Sequence, residues 1–265
     1  MKKLIVCVLI LSLLLCGCAE KQNYDPARLE YPGLPWGASP EDALDALGKT
    51  REDIIDESVD KNEDVGNADY WDYGIAIHGV EAFGQETTLM LLSFRDYTKT
   101  GEDYGLVELR FCYPDGHDGT QMADVAALAA ELERLYGTAG EAQYWDRETD
   151  TTSDGTPEHP ANTYEWDSMT NWSCLSEQEQ EACKRVYHDG TQRPMTWEEY
   201  VEKLDAYPAF SIQLQPIYNY MIEVRLGHPL TGEQRSLGMT DLCITMNAGA
   251  YYNMKHSARL WLEAE

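Results

Sequence analysis

Thr88-Leu89-Met90-Leu91-Leu92-Ser93-Phe94 and Gly105-Leu106-Val107-Glu108-Leu109-Arg110-Phe111-Cys112-Tyr113 flank a turn at Thr100-Gly101. In the first stretch Thr88, Met90, Leu92 and Phe94 share one face. In the second, Gly105, Val107, Leu109, Phe111 and Tyr113 do. A period of two with turn residues between the runs predicts paired strands, and Pro114-Asp115-Gly116 closes the pair. From Thr120 to Tyr136 the period becomes helical: Met122, Val125, Ala129, Leu132 and Tyr136 form one stripe, and Gly137 ends it. A hairpin followed by an amphipathic helix, rather than single strands alternating with helices, predicts an α+β fold with helices packed on one face of an antiparallel β-sheet.

The same grammar recurs outward from this centre. Ser39-Pro40-Glu41-Asp42 has an N-cap, a proline at the first helical position and acids at the positive end of the dipole, and Gly48 stops that helix. Ser176 with Glu179, and Thr196 with Glu199, are capping boxes that open two further helices. Tyr164 to Ser173 reads as a strand. Phe210/Ile212/Leu214, Tyr218/Tyr220/Ile222/Val224 and Leu242/Ile244/Met246 alternate cleanly. The acidic stretch 49–73 and the polar stretch 146–163 read as loops. A capped helix followed by antiparallel strands occurs at 39–113 and again at 196–246. Two related halves, 34–143 and 195–265, with an intervening insertion, are therefore a further expectation.

The chain has 265 residues and a net charge of −27, and 43% of it is hydrophobic. That is enough apolar material for a core, and the charge argues against a protein that grips nucleic-acid phosphates with clustered Lys and Arg. Met1-Lys2-Lys3 precedes an apolar run from Leu4 to Leu15. As a helix this run spans roughly 18 Å, short of a ~30 Å hydrocarbon core, so it reads as an export signal. Leu15-Cys16-Gly17-Cys18 follows it and resembles the lipobox of bacterial lipoproteins. The resemblance implies cleavage after residue 17 and a diacylglycerol on Cys18. The expected organisation is a signal peptide over 1–17, a lipidated cysteine and flexible tether over 18–33, and an extracytoplasmic body over 34–265. Loss of the leader removes two lysines and leaves −29. Such a body does not bind an anionic bilayer by charge, so the lipid must hold it.

Leu34-Pro35-Trp36-Gly37-Ala38-Ser39-Pro40-Glu41-Asp42, a strand pair near Phe83-Gly84 and a helix ending Leu135-Tyr136-Gly137 are similar to small lipoprotein domains with a Pro-Trp-Gly-x-Ser start. Those domains broadly resemble the β-lactamase inhibitor protein fold and the small lipoproteins of outer-membrane assembly. The resemblance spans roughly residues 34–137 and implies a helical element on antiparallel sheet with a protein-binding role. It transfers no functional residue.

Cys112, Cys174, Cys183 and Cys243 remain in the mature body besides Cys18. An even count in an exported chain makes them disulfide candidates, with three connectivities open. The six histidines are scattered, and no metalloprotease, hydrolase-elbow or phosphate-loop motif is present. No catalytic or metal-binding residue is assigned, and no cofactor is expected beyond the lipid. Asp146, Glu148, Asp150 and Asp154 leave calcium as an alternative, although Thr151 and Pro157 stand where an EF-hand needs glycine and glutamate. Trp71, Tyr73, Trp145, Trp166, Trp172 and Trp197 are an aromatic excess suited to core, interface or sugar stacking. Glu165-Trp166-Asp167 adds two carboxylates to an indole. The reading is a lipid-anchored extracytoplasmic protein that binds an envelope protein or component. A carbohydrate-binding or glycoside-cleaving surface protein is the alternative.

Overall fold

The computed structural model describes residues 24–61, 70–116, 121–146, 149, 151–189, 195–215, 235 and 237–263. The lipobox and the strand expected at Tyr218–Val224 lie outside the described residues. The two quoted stretches become β5 (Leu89–Asp96) and β6 (Gly105–Tyr113), paired antiparallel with Met90 opposite Phe111 and Leu92 opposite Leu109. The register shifts between Ser93 and Phe94, so that Phe94 faces Leu106 and Val107 is bulged out of the pairing. A bulge admits one extra residue and re-aims the side chains beyond it. Leu106, not Gly105, therefore reaches the core.

Strand β6 joins the first strands of the chain to the last. On one side lie β5, β2 (Trp71–Ile77) and β1 (Ile54–Asp60). On the other lie β11 (Leu242–Asn247), β10 (Pro208–Gln215), β9 (Thr163–Thr170), β7 (Glu141–Asp146) and β8 (Thr151–Asp154). Among the described residues the sheet has nine strands in the order β1-β2-β5-β6-β11-β10-β9-β7-β8, and the pairs are antiparallel. A separate hairpin, β3 (Glu81–Ala82) with β4 (Gln85–Glu86), turns at Phe83-Gly84, where both residues have positive φ. That is the twist a two-residue hairpin loop needs. The chain is α+β and dominated by its strands. The stretch between the two expected halves contributes β9, which pairs along β10 within the same sheet.

One face of the sheet carries Ile75, Leu92, Phe94, Leu109, Phe111, Ile212, Leu214, Ile244 and Met246, all buried in one cluster. Helix α1 (Pro40–Ala46) adds Ala43 and Leu44 to it; α2 (Val125–Tyr136) adds Leu128, Ala129 and Leu132. Asp124 caps α2 by accepting the Ala127 N–H at 3.0 Å. Met122 lies before the helix and is exposed, so the buried stripe runs through Leu128 instead. Helices α3 (Glu177–Asp189) and α5 (Gly249–Glu263) form a smaller cluster of Leu175, Cys183 and Ala258, against which Trp197 of α4 (Trp197–Asp205) packs. Both expected capping boxes are made: Ser176 and Glu179 exchange backbone-to-side-chain bonds, as do Thr196 and Glu199.

Three expectations need correction. The acidic stretch 49–73 contains β1, and the polar stretch 146–163 contains β8. Both lie at the ends of the sheet, where nearly every side chain meets water and no alternation is required. The tether does not extend to residue 33. Residues 26–28 form a 3₁₀ turn, Leu29 is buried, and the Arg28 carbonyl accepts the Trp36 indole N–H at 2.8 Å. The Arg28 guanidinium lies over the Phe210 and Tyr251 rings at 5.3 and 5.2 Å, while the Tyr136 hydroxyl donates to the Glu30 carbonyl. Those contacts come from β10, α2 and α5, so local sequence could not announce them.

Candidate functional site

The alternation of β9 turns Tyr164 and Trp166 toward the core and leaves Glu165 and Asp167 on the opposite face. On one side Glu165 faces Gln213 of β10, whose amide donates to it at 2.9 Å. On the other side it faces Glu141 of β7 in direct register. The β7–β9 pairing ends there, with the Gly140 N–H donating to the Glu165 carbonyl at 2.9 Å. Beyond that point the N-terminal segment approaches β9, and the Ser168 hydroxyl donates to the Ala27 carbonyl. The gap between them is a cleft of about 500 Å³, lined among others by Pro26, Ala27, Tyr136, Glu141, Glu165 and Asp167.

Burial raises the Asp167 carboxyl above its ordinary value, and the charges of Glu165 and Glu141 add to the shift. The folded state therefore carries a penalty when Asp167 is ionised, present above the folded value and absent once pH falls below the unfolded one. Asp167→Asn is expected to raise stability at pH 7 by on the order of a few tenths of a kcal/mol, because solvent screens an exposed carboxylate. Near pH 3 no difference is expected. Thermal melts at the two pH values check this, and a loss at pH 7 would show that the carboxylate is held by attraction instead.

The cleft is suited to a cationic or hydrogen-bond-donating group. Tyr136 and Trp166 also line it, beside the carboxylates. Trp166 is buried and donates its indole N–H to the Gly137 carbonyl at 2.8 Å. The remaining aromatics are dispersed. Trp71 lies under the Lys61 ammonium at 4.6 Å, and Tyr73 donates to Glu57. Trp172, Tyr187 and Tyr200 gather around Trp197, with ring centroids 5.3–5.8 Å from it, and bind α3 to α4. Among the described residues, no group of three or more His, Cys, Asp or Glu side chains is arranged to hold a metal ion. Of the acidic residues considered for calcium, Glu148 and Asp150 lie outside the described residues.

The four body cysteines are thiols in the structure. Cys112 of β6 and Cys243 of β11 are buried directly opposite one another. Cys174 is half-buried and donates to the Asn171 carbonyl, and Cys183 lies in the helical cluster. Sequence reasoning missed Glu141 and the N-terminal segment as walls of the cleft. Glu141 follows the Gly137 helix stop at a spacing that fits a loop as well as a strand, and only pairing with β9 decides between them.

Among the described residues, no helix is long and apolar enough to cross a membrane. No known protein family, no curated protein and no solved structure matches the chain.

Proposed function

We propose that this is a lipid-anchored extracytoplasmic binding protein that contacts an envelope protein through the free edge of its sheet. The observation that carries the address is the lipobox, Leu15-Cys16-Gly17-Cys18, behind a short apolar leader. Cys18 lies six residues before Tyr24, whose ring packs edge-on against Tyr136 at 6.0 Å. Six extended residues span about 20 Å, so the acidic cleft beside Tyr136 stays close to the anchor. Its carboxylates keep anionic headgroups out, and the acyl chains alone hold the body at the bilayer.

Strand β1 is six places from β9 in the sheet, about 29 Å away at ~4.8 Å per strand. Its outer edge is unpaired among the described strands. Ile55 and Val59 are 41% and 54% exposed on a strand that also carries Asp56, Glu57 and Asp60. An open edge of this kind accepts an added strand, and its charge selects an extended basic segment while blocking pairing with a second copy of itself.

Two measurements on membranes of the producing cell test the reading. Mass spectrometry is expected to find the leader gone and a diacylglyceryl group on Cys18. A photo-crosslinker at Val59 is expected to capture one defined partner, and Asp56→Lys with Asp60→Lys to reduce that adduct at least about tenfold, since like charges are set against the partner. An adduct indifferent to this charge reversal sinks the edge assignment, and an unmodified Cys18 sinks the address.

A further inference from the structure

We propose that Cys112 and Cys243 are joined by a cross-strand disulfide in the exported protein, while Cys174 and Cys183 remain thiols. The proposal rests on the extracytoplasmic reading, because disulfides persist in an oxidising compartment.

The pairing follows from register. Cys112 and Cys243 are direct partners in the β6–β11 ladder, so their side chains leave the same face of the sheet. The Cys112 carbonyl accepts the Thr88 N–H at 2.8 Å and the Thr88 hydroxyl at 3.1 Å, on the β5 side of β6. A strand residue points its N–H and C=O the same way, so Cys112 turns its backbone groups away from Cys243. The two occupy a site whose residues exchange no backbone hydrogen bonds, where Cα atoms are about 4.5 Å apart. That separation falls within the roughly 4.4–6.8 Å range of disulfides. Both residues are fully buried, and Ala76, Leu89, Leu91 and Met239 pack around Cys112. Cys174 and Cys183 have no such relation. One packs against the main core and the other lies in the helical cluster.

Burial pushes the Cys112 thiol up to about 11 and that of Cys243 to about 12, with the neighbouring Cys112 contributing to the second. Thiolates are the reactive species, so the closed sheet does not support exchange. The bond forms before β6 and β11 zip together, with a disulfide-bearing oxidant. One cysteine thiolate attacks a sulfur of that oxidant and expels its first thiolate. The other attacks the protein sulfur of the mixed disulfide and expels the second. Two protein thiols become one disulfide, the oxidant becomes two thiols, and the two protons pass to them. Once the sheet has closed, burial shields the bond from reductants.

The test is made on membranes from the producing cell, quenched in acid, alkylated in denaturant and digested with trypsin without reduction. Peptides 111–134 and 236–255 are expected as one linked species, with Cys174 and Cys183 both alkylated in peptide 148–184. Alkylated Cys112 and Cys243 on chains that carry lipid at Cys18, or any other pairing, overturn the proposal. If Cys18 carries no lipid, the address has failed and not the pairing. The full chain refolded in a glutathione redox buffer then decides, the linked species supporting the proposal and four free thiols overturning it. Unfolding and refolding with dithiothreitol is expected to lower the melting midpoint by about 5–10 °C, and to leave the midpoint of the Cys112→Ala, Cys243→Ala double variant unchanged. A wild-type midpoint indifferent to dithiothreitol also overturns it.

Discussion

Trp36→Ala is expected to destabilise the body by about 3–5 kcal/mol, the range for deleting a large buried aromatic. In a domain of this size that lowers the melting midpoint by roughly 6–20 °C. Trp36 is 5% exposed and packs with Leu29, Leu34 and Leu44. Its indole N–H donates to the Arg28 carbonyl, so truncation empties part of the core and unfastens residues 24–33 together. Gly37 explains why the neighbouring position is small. Its φ is +82°, and a Cβ there would lie 2.6 Å from the Tyr252 hydroxyl of α5. Trp36→Phe keeps most of the volume and loses the hydrogen bond, and is expected to cost about 1–2 kcal/mol. Trp71→Ala, at a half-exposed position, is expected to cost less than Trp36→Ala. Denaturant titration of the three variants checks the order. A Trp36→Ala loss below about 1 kcal/mol would remove the central packing role given to this residue.

Cys18→Ala is expected to abolish incorporation of radioactive palmitate and to move the protein out of the detergent-extracted membrane fraction. Each acyl chain contributes about 0.8 kcal/mol per buried methylene, and two or more chains make attachment effectively permanent. The substitution therefore acts nearly as an all-or-none switch. Among the described residues no helix is long and apolar enough to compensate by crossing a membrane. The apolar run Leu4–Leu15 is too short to span the hydrocarbon core, and the net charge of −29 over residues 18–265 opposes an anionic surface. Cys16→Ala is the control and is expected to leave labelling intact. Palmitate incorporated by Cys18→Ala would refute the lipid anchor at Cys18.

The alternating runs of β5, β6, β10 and β11 were legible because large apolar side chains recur at every second residue on the core face, which is what a period of two records, while the other face is mostly only partly covered. The caps of α1, α3 and α4 were legible because they are local bonds between residues three apart. The edge strands β1 and β8 were not, since solvent on both faces removes the alternation. Helix α5 was not recognised either: its first turn has no acidic residue, and Ala258, its buried side chain beyond Gly249, is fixed by α3.

The apolar run behind Met1-Lys2-Lys3, the Leu15-Cys16-Gly17-Cys18 motif, the acidic charge and the identity of the best strands are properties of short stretches or of bulk composition, and the sequence determined them by itself. Tertiary structure decided that residues 24–33 belong to the body, that Glu141 stands beside Glu165, and that Cys112 stands opposite Cys243. Each of those facts depends on strand register or on contacts between distant parts of the chain. Register joins residues far apart in sequence, and it is set by the patterns of both strands and the turns between them rather than by either stretch alone.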